Sequence, residues 1–431
     1  MPLIDDARTA LRILSNLAGE RRGRIAVNAQ RRQHPRPKPL SIEIAVYFAD
    51  PPVNLYQIRQ WYAPLAKLAQ TWPVAIIARS PGAVLALWQE APVRALYLRQ
   101  VSDLERFLDE QDLKIIFYVN QNSKNFQMFR YGRVWHVFIN HGESDKIYMT
   151  TNQFKAYDYS FVAGDAAIER LTHRLWDFDF DRRIIKIGRP QADHFMGALP
   201  YIPDDRVTVL YAPTWEGDRD TAAYGSIATH GVALTAALLA TGRHRLVYRP
   251  HPRSGLSDRR YRAANEAIIA AIAQANIADP AAQHIYDTSV EVGWQLSAPD
   301  VSITDISAMI YDRLATGKPV IVTRPKSPDA EIDESGYLGS CEWLSAADAP
   351  GIVAIAERLQ FDQDAQKNLK LWAERHFGDT TPGVATTRFH AAIEQLVVEW
   401  HRHDAIHTLD ERRPDGDQLD DEDDDDDYES S

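Results

Sequence analysis

The apolar residues of this chain fall into short uniform blocks separated by stretches of helical spacing, and the two kinds alternate from residue 41 onward. IEIAVYF, VAIIA, ALYL, IIFYV, VWHVFI and YSFVAG are short and apolar almost throughout. Such runs fit strands of a parallel sheet covered on both faces. Between them, Tyr56 to Ala69, Ala83 to Gln89, Ser102 to Asp109 and a segment near Phe126 read as helices. IIKIGRP, residues 184–190, carries the Gly-Pro punctuation of a crossing into a second unit. The alternation restarts with VTVLYAPTW, the helix Val232 to Ala240, RLVYRPHP, the helix Tyr261 to Ala273 and a corner over residues 301–322. After Ala346 the pattern is helical to about His403. The reading is an α/β protein built of two doubly wound, Rossmann-like domains facing a central cleft, with C-terminal helices.

The corner VSITDISAMIYDRLATGKPVIV reads as strand, polar turn, helix and second strand. Val301 and Ile303 are spaced for a buried strand, and Met309, Ile310, Leu314 and Ala315 make the apolar stripe of the helix. Thr304, Asp305 and Ser307 fall where that helix begins, and Gly317 ends it. The unpaired N–H groups and partial positive charge of a helix N-terminus suit a phosphate. The plain alternative is that Asp305 and Ser307 only cap the helix.

Composition narrows the class without choosing a function. The 431 residues allow two domains, and 45% hydrophobic with 25% charged residues is ordinary for a globular protein. A single cysteine, Cys341, excludes an intrachain disulfide and a cysteine-cluster metal site, and it fits a reducing cytoplasm. The longest apolar run, around Val232 to Ala240, falls short of the ~20 residues of a membrane span. The net charge of -12 is unevenly placed: residues 1–40 carry +6 and residues 410–431 carry -11. The expected division is a basic segment and Pro linker over 1–40, an α/β domain over 41–188, a second α/β domain with closing helices over 189–403, and a solvated acidic tail over 404–431. The basic segment, with Leu3, Ile4, Leu11, Leu14 and Leu17 ahead of Arg21, Arg22, Arg24, Arg31 and Arg32, suits either peripheral contact with an anionic membrane or packing on the body. Nucleic acid is disfavoured, because the body is net negative and its basic residues lack interleaved aromatics.

Ligands of open α/β sheets bind at the carboxyl ends of strands. Four polar clusters follow strands here: NHGESDK at 140–146, YAPTWEGD at 211–218, YRPHPRS at 248–254 and TDIS at 304–307. His141 is a candidate general base, with Gly142 allowing close backbone approach. The alternative is a turn histidine bonded to its neighbours. Arg249 and His251 form an anion-binding pair that can stabilise charge on a leaving nucleotide, unless Arg249 is spent on a carboxylate of the fold. Lys146, Arg189 and Lys318 can add positive charge. Pro213, Thr214 and Trp215 read as a rigid wall, and Glu216, Asp218 and Asp220 as a solvated acidic loop with no metal-ligand spacing. The absence of Walker, His-Glu-x-x-His and Gly-x-Ser-x-Gly patterns weighs against NTPases and hydrolases.

With NHGESDK, VLYAPTWEGD, LVYRPHP, ITDISAMIYDRLATGKPVI and HFGDTTPGVATTRF in this order, the chain resembles the CDP-glycerol glycerophosphotransferase family, the teichoic acid primases and polymerases, over roughly residues 110–395. The resemblance implies a GT-B-like fold and transfer of glycerol phosphate, or a related polyol phosphate, from CDP-glycerol or a similar CDP-polyol to the hydroxyl of a lipid-linked or glycan acceptor, with release of CMP. It implies no metal and no cofactor. Carried over by position, His141 matches the base, Arg249 and His251 the donor-phosphate site, and Thr304, Asp305 and Ser307 the donor-binding turn. Asp312, one to two turns later, is placed to support that turn or the nucleotide, and Gly142, Lys146, Pro213 and Thr214 are further candidate substrate contacts read from the residues themselves. Family members often have Trp before the His-Gly pair and an aromatic after the motif aspartate, where this chain has Asn140 and Ile306. The extra N-terminal module of some long polymerases is missing, which favours a single transfer or a short polymer. A nucleotide-sugar glycosyltransferase and a non-catalytic, membrane-associated scaffold are the alternative readings.

Overall fold

The computed structural model describes residues 18–142, 151–217, 219–289 and 292–410. Lys146, Asp218, the leucine-rich start of the basic segment and the acidic tail from residue 411 lie outside them. Two sheets form the framework. The first contains β1 (Ile44–Phe48), β2 (Val74–Ala78), β3 (Arg94–Tyr97), β4 (Ile115–Tyr118), β5 (Trp135–Phe138), β6 (Tyr159–Val162) and β7 (Ile184–Lys186), in the order β3-β2-β1-β4-β5-β6-β7. The second contains β8 (Val207–Ala212), β9 (His244–Tyr248), β10 (Ile285–Tyr286), β11 (Val301–Thr304), β12 (Val320–Thr323) and β13 (Glu342–Leu344), in the order β10-β9-β8-β11-β12-β13. Every pairing described is parallel.

The apolar runs explain this arrangement. β1, β2, β4, β11 and β12 are buried along their whole length, which requires helices on both faces. In the second sheet Ile303 lies beside Tyr211, which lies beside Tyr248. One face packs on Leu234, Leu238, Ile268 and Ile352, and the other on Ile310, Leu314, Leu369 and Phe377. Ile303 is 0% exposed, so Ile303→Ala would cost about 2–5 kcal/mol through lost transfer energy and the cavity left behind.

The chain forms two compact units that do not follow it as consecutive blocks. Among the described residues, 18–141, 153–161 and 390–410 form the first, and 142, 151–152 and 162–389 the second. The first unit therefore includes the later part of the final helix, Val384–Asp410. There Trp135 Nε1 donates to the Leu396 carbonyl at 3.0 Å, and Trp400 Nε1 donates to the Arg133 carbonyl at 2.8 Å. The tertiary layout is thus more interleaved than a boundary at 188/189. None of the described helices is long and apolar enough to cross a membrane.

Candidate active site

In the second unit, β8, β9 and β10 step outward in one direction while β11, β12 and β13 step outward in the other. The order reverses between β8 and β11, the position at which α/β sheets open a crevice at their carboxyl ends. Three of the four candidate stretches lie on this rim, Pro213 to Gly217 after β8, Arg249 to Arg253 after β9 and Asp305 to Ser307 after β11, and Asp287 to Ser289 after β10 joins them.

Asp305 is 0% exposed and closes the switch point from inside. Its carboxylate accepts the Thr214 N–H at 2.7 Å, the Ser226 N–H at 3.1 Å and the Thr323 hydroxyl at 2.5 Å. Burial pushes its carboxyl up to about 6 despite these donors. The residue organises the rim rather than presenting itself on it. Thr304 is equally buried. Ser307 is the N-cap of the helix Ala308–Leu314, accepting the Met309 N–H at 3.3 Å, so the capping alternative holds for Ser307 and not for Asp305. Asp312 pairs with the buried Arg189 guanidinium at 2.5 Å, and Lys318 Nζ donates to backbone carbonyls at Ser297, Ala298 and Pro299.

Arg249 follows β9 with its side chain 14% exposed. Its Nη1 donates to Asp287 Oδ2 at 2.5 Å and to Ser289 Oγ at 3.0 Å. The internal carboxylate partner raised as an alternative is therefore present. Burial works against ionisation of Asp287, but the Ser289 hydroxyl and N–H, then Arg249 and Gln295, outweigh it and hold the carboxyl below its usual range. His251 Nδ1 accepts the Arg253 N–H at 3.1 Å, which places the ring proton on Nε2 in the neutral form. Partial desolvation and then the Arg253 charge lower its pKa, so His251 offers an N–H donor at neutral pH without being an imidazolium. The Arg253 guanidinium stacks 3.6 Å above the Trp215 ring.

Glu216 departs from the expected solvated loop. It is 9% exposed and accepts the N–H groups of Gly255, Ser257 and Asp258 at 2.9, 3.0 and 3.0 Å and the Ser257 hydroxyl at 2.7 Å. Burial opposes its ionisation, yet these donors draw its pKa down to about 2. It clamps the loop after β9 to the loop after β8. No cluster of metal-ligating residues occurs among the described residues. A cavity of about 1040 Å³ in this unit opens at the opposite end of β12, beside Gly317, Lys318 and Thr380, and none of the rim residues lines it.

In the first unit the order reverses between β1 and β4. Asp50, 6% exposed, accepts the side-chain amides of Asn54, Asn120 and Asn122 at 2.6, 2.9 and 2.8 Å. His141 follows β5 and is half-buried, its ring edge-on to Tyr56. Its Nδ1 lies 2.9 Å from the Val119 carbonyl. A carbonyl only accepts, so Nδ1 carries the proton and Nε2 is the basic nitrogen of the neutral ring. Asn140 before it adopts φ 55°, a left-handed conformation that Asn tolerates better than most residues, and its side chain accepts the His141 N–H at 2.8 Å. Sequence reading missed Asp50, Asn120, Ser226, Asp287 and Thr323. Asp50 was within reach, since it directly follows the run IAVYFA; Asp287 was not, because β10 is two residues long.

Two parallel sheets with helices on their faces and polar rims make a GT-B-like α/β fold. Residues 138–330 match the family of CDP-glycerol:poly(glycerophosphate) glycerophosphotransferases. Among solved structures, the wall teichoic acid polymerase TagF is 14% identical, with 92% of this chain and 98% of that one aligned at a TM-score of 0.53. A UDP-N-acetylglucosamine 2-epimerase from Listeria monocytogenes is also 14% identical, with 84% and 98% aligned at 0.53, and another such epimerase is 15% identical, with 84% and 97% aligned at 0.54. At these identities the likeness is one of fold. No curated protein matches the chain in sequence.

Proposed function

We propose that the protein transfers glycerol phosphate, or a related polyol phosphate, from a CDP-linked donor to an acceptor hydroxyl and releases CMP. The family match over residues 138–330 carries this reading, because it takes in His141, Arg249, His251 and the turn at Thr304 to Ser307. In the reaction the acceptor oxygen attacks the phosphorus that bears the polyol, and the bond from that phosphorus to the bridging oxygen breaks. The hydroxyl proton goes to His141 Nε2, and the charge developing on CMP is met by Arg249 and the His251 N–H. Thr214 and Ser307 line the donor rim, with Asp305 and Asp312 supporting it from within. Gly142 leaves room beside the base, and Lys146 adds positive charge. We further propose that residues 41–188 serve the acceptor side and 189–403 the donor side, at the inner face of a membrane that carries a lipid-linked acceptor.

Isothermal titration with CDP-glycerol, CDP-ribitol, UDP-glucose and CMP tests the donor. Selective CDP-polyol binding that is lost in Arg249→Ala is expected. Preference for UDP-glucose would replace the reading with a glycosyltransferase, and binding of none of them would remove it.

A further inference from the structure

Arg249 sits in a cradle of side chains from the segment after β10. A guanidinium has five N–H donors, two of them on Nη1. Both Nη1 hydrogens have takers, Asp287 Oδ2 at 2.5 Å and Ser289 Oγ at 3.0 Å. Behind them Gln295, 1% exposed, donates from Nε2 to Asp287 Oδ2 at 2.9 Å and to Ser289 Oγ at 2.8 Å. Asp287 in turn accepts from the Ser289 N–H and hydroxyl through Oδ1, at 3.0 and 2.7 Å. Each polar atom that holds Arg249 is thus itself held by a second hydrogen bond. Among the described residues the Nε and Nη2 edge of Arg249 has no protein partner. That edge is the fork that meets two oxygens of one phosphate.

Resting on the reading of Arg249 as the donor-phosphate ligand, we infer that Asp287, Ser289 and Gln295 are positioning residues that fix the guanidinium by Nη1 and so aim its Nε and Nη2 edge at the phosphate of a nucleoside-diphosphate donor. An arginine on a loop samples many rotamers, and holding one of them before binding removes that ordering cost from the affinity. The Asp287 charge also stays paired with the arginine at Nη1, which lowers the net positive charge of the site and disfavours loose capture of other anions.

The test is a double-mutant cycle on CDP-glycerol affinity, measured by isothermal titration with the full chain. Asp287→Asn keeps shape but loses the anion, and Ser289→Ala removes only the hydroxyl. We expect Asp287→Asn to weaken binding by about tenfold and Ser289→Ala by about threefold, with unfolding midpoints within a few degrees of wild type, and the Arg249→Ala/Asp287→Asn double variant to bind no worse than Arg249→Ala alone. Additive losses in the double variant would overturn the inference, since Asp287 would then act elsewhere. So would tighter binding in Asp287→Asn, which would make the carboxylate a competitor of the phosphate. If Arg249→Ala itself binds CDP-glycerol as well as wild type, the donor-site reading fails together with the inference; if Arg249→Ala weakens binding while Asp287→Asn and Ser289→Ala do not, only the inference fails.

Discussion

His141 owes its proposed chemistry to a carbonyl. With Nδ1 tied to Val119, the basic electron pair of the neutral ring lies on Nε2, and a base fixed in this way contributes about 10²- to 10⁴-fold to a proton-transfer step. His141→Ala is expected to lower CMP release by that range with a lipid-linked glycerol phosphate acceptor, while titration finds CDP-glycerol affinity unchanged. The two buried carboxylates at the rim of the second unit's sheet respond to pH in opposite directions. Glu216 is far more acidic folded, at about 2, than in the unfolded chain, where it lies near 4.5. Its contribution, on the order of 3 kcal/mol, is present above pH 4.5 and is lost as pH falls toward 2. In chemical denaturation the stability gap between wild type and Glu216→Gln should therefore close over that interval. Asp305 is less acidic folded, at about 6, than its ordinary 3.8, so the folded state binds its proton more tightly. Its effect on stability is most favourable below pH 4, declines as pH rises to 6 and is flat above. Asp305→Ala removes the oxygen that accepts both the Thr214 and the Ser226 N–H, and should cost about 1–3 kcal/mol in urea denaturation at pH 7.

At the scale of elements, the two sheets share a device: an aspartate just past a strand bridges the point where the strand order reverses, Asp50 toward Asn120 and Asp305 toward Thr214. Most strands were legible, because parallel strands buried on both faces leave short uniform apolar runs rich in Val, Ile, Phe and Tyr, unlike the Ala- and Leu-rich run of the helix Val232–Leu239, whereas β10 and β13 are too short to leave one. Helices were less so. The expected helix Tyr56 to Ala69 is two helices, Leu55–Arg59 and Tyr62–Leu68, since Pro64 lacks an N–H and fits only where the first turn of a new helix needs none. The segment near Phe126 is a 3₁₀ turn over Ser123–Met128, started by the Asn122 side chain. The site was legible in its positions more than in its roles. A motif shows that Asp305 follows a strand, but whether its carboxylate faces inward depends on Ser226 and Thr323, distant in the chain. The loop after β8 adds a steric constraint at Gly217. It adopts φ +86°, and a Cβ there would lie 2.7 Å from the Ala222 carbonyl oxygen. Gly217→Ala should destabilise the protein by about 1–3 kcal/mol in thermal unfolding and weaken CDP-glycerol binding as the neighbouring Glu216 clamp loosens.

For the whole molecule, charge and chain order matter more than any one contact. The +6 of residues 1–40 and the -11 of residues 410–431 give the chain ends opposite affinities for an anionic surface. If the basic end docks the enzyme, wild type should sediment with vesicles containing phosphatidylglycerol at low salt and a chain lacking residues 1–40 should not; equal partition of the two would remove the membrane proposal. Chain order has a different outcome. The first unit contains the earliest described residues and also the helix past His390, which seats its own carbonyl on Trp135 and sends Trp400 to Arg133. On a ribosome the amino-terminal sheet therefore emerges without one of its walls, and must wait for more than two hundred residues of the second unit before that wall is made. The second unit can complete first although it is synthesised later, so a nascent chain stalled before residue 390 should shield its middle from protease while its beginning is still cut.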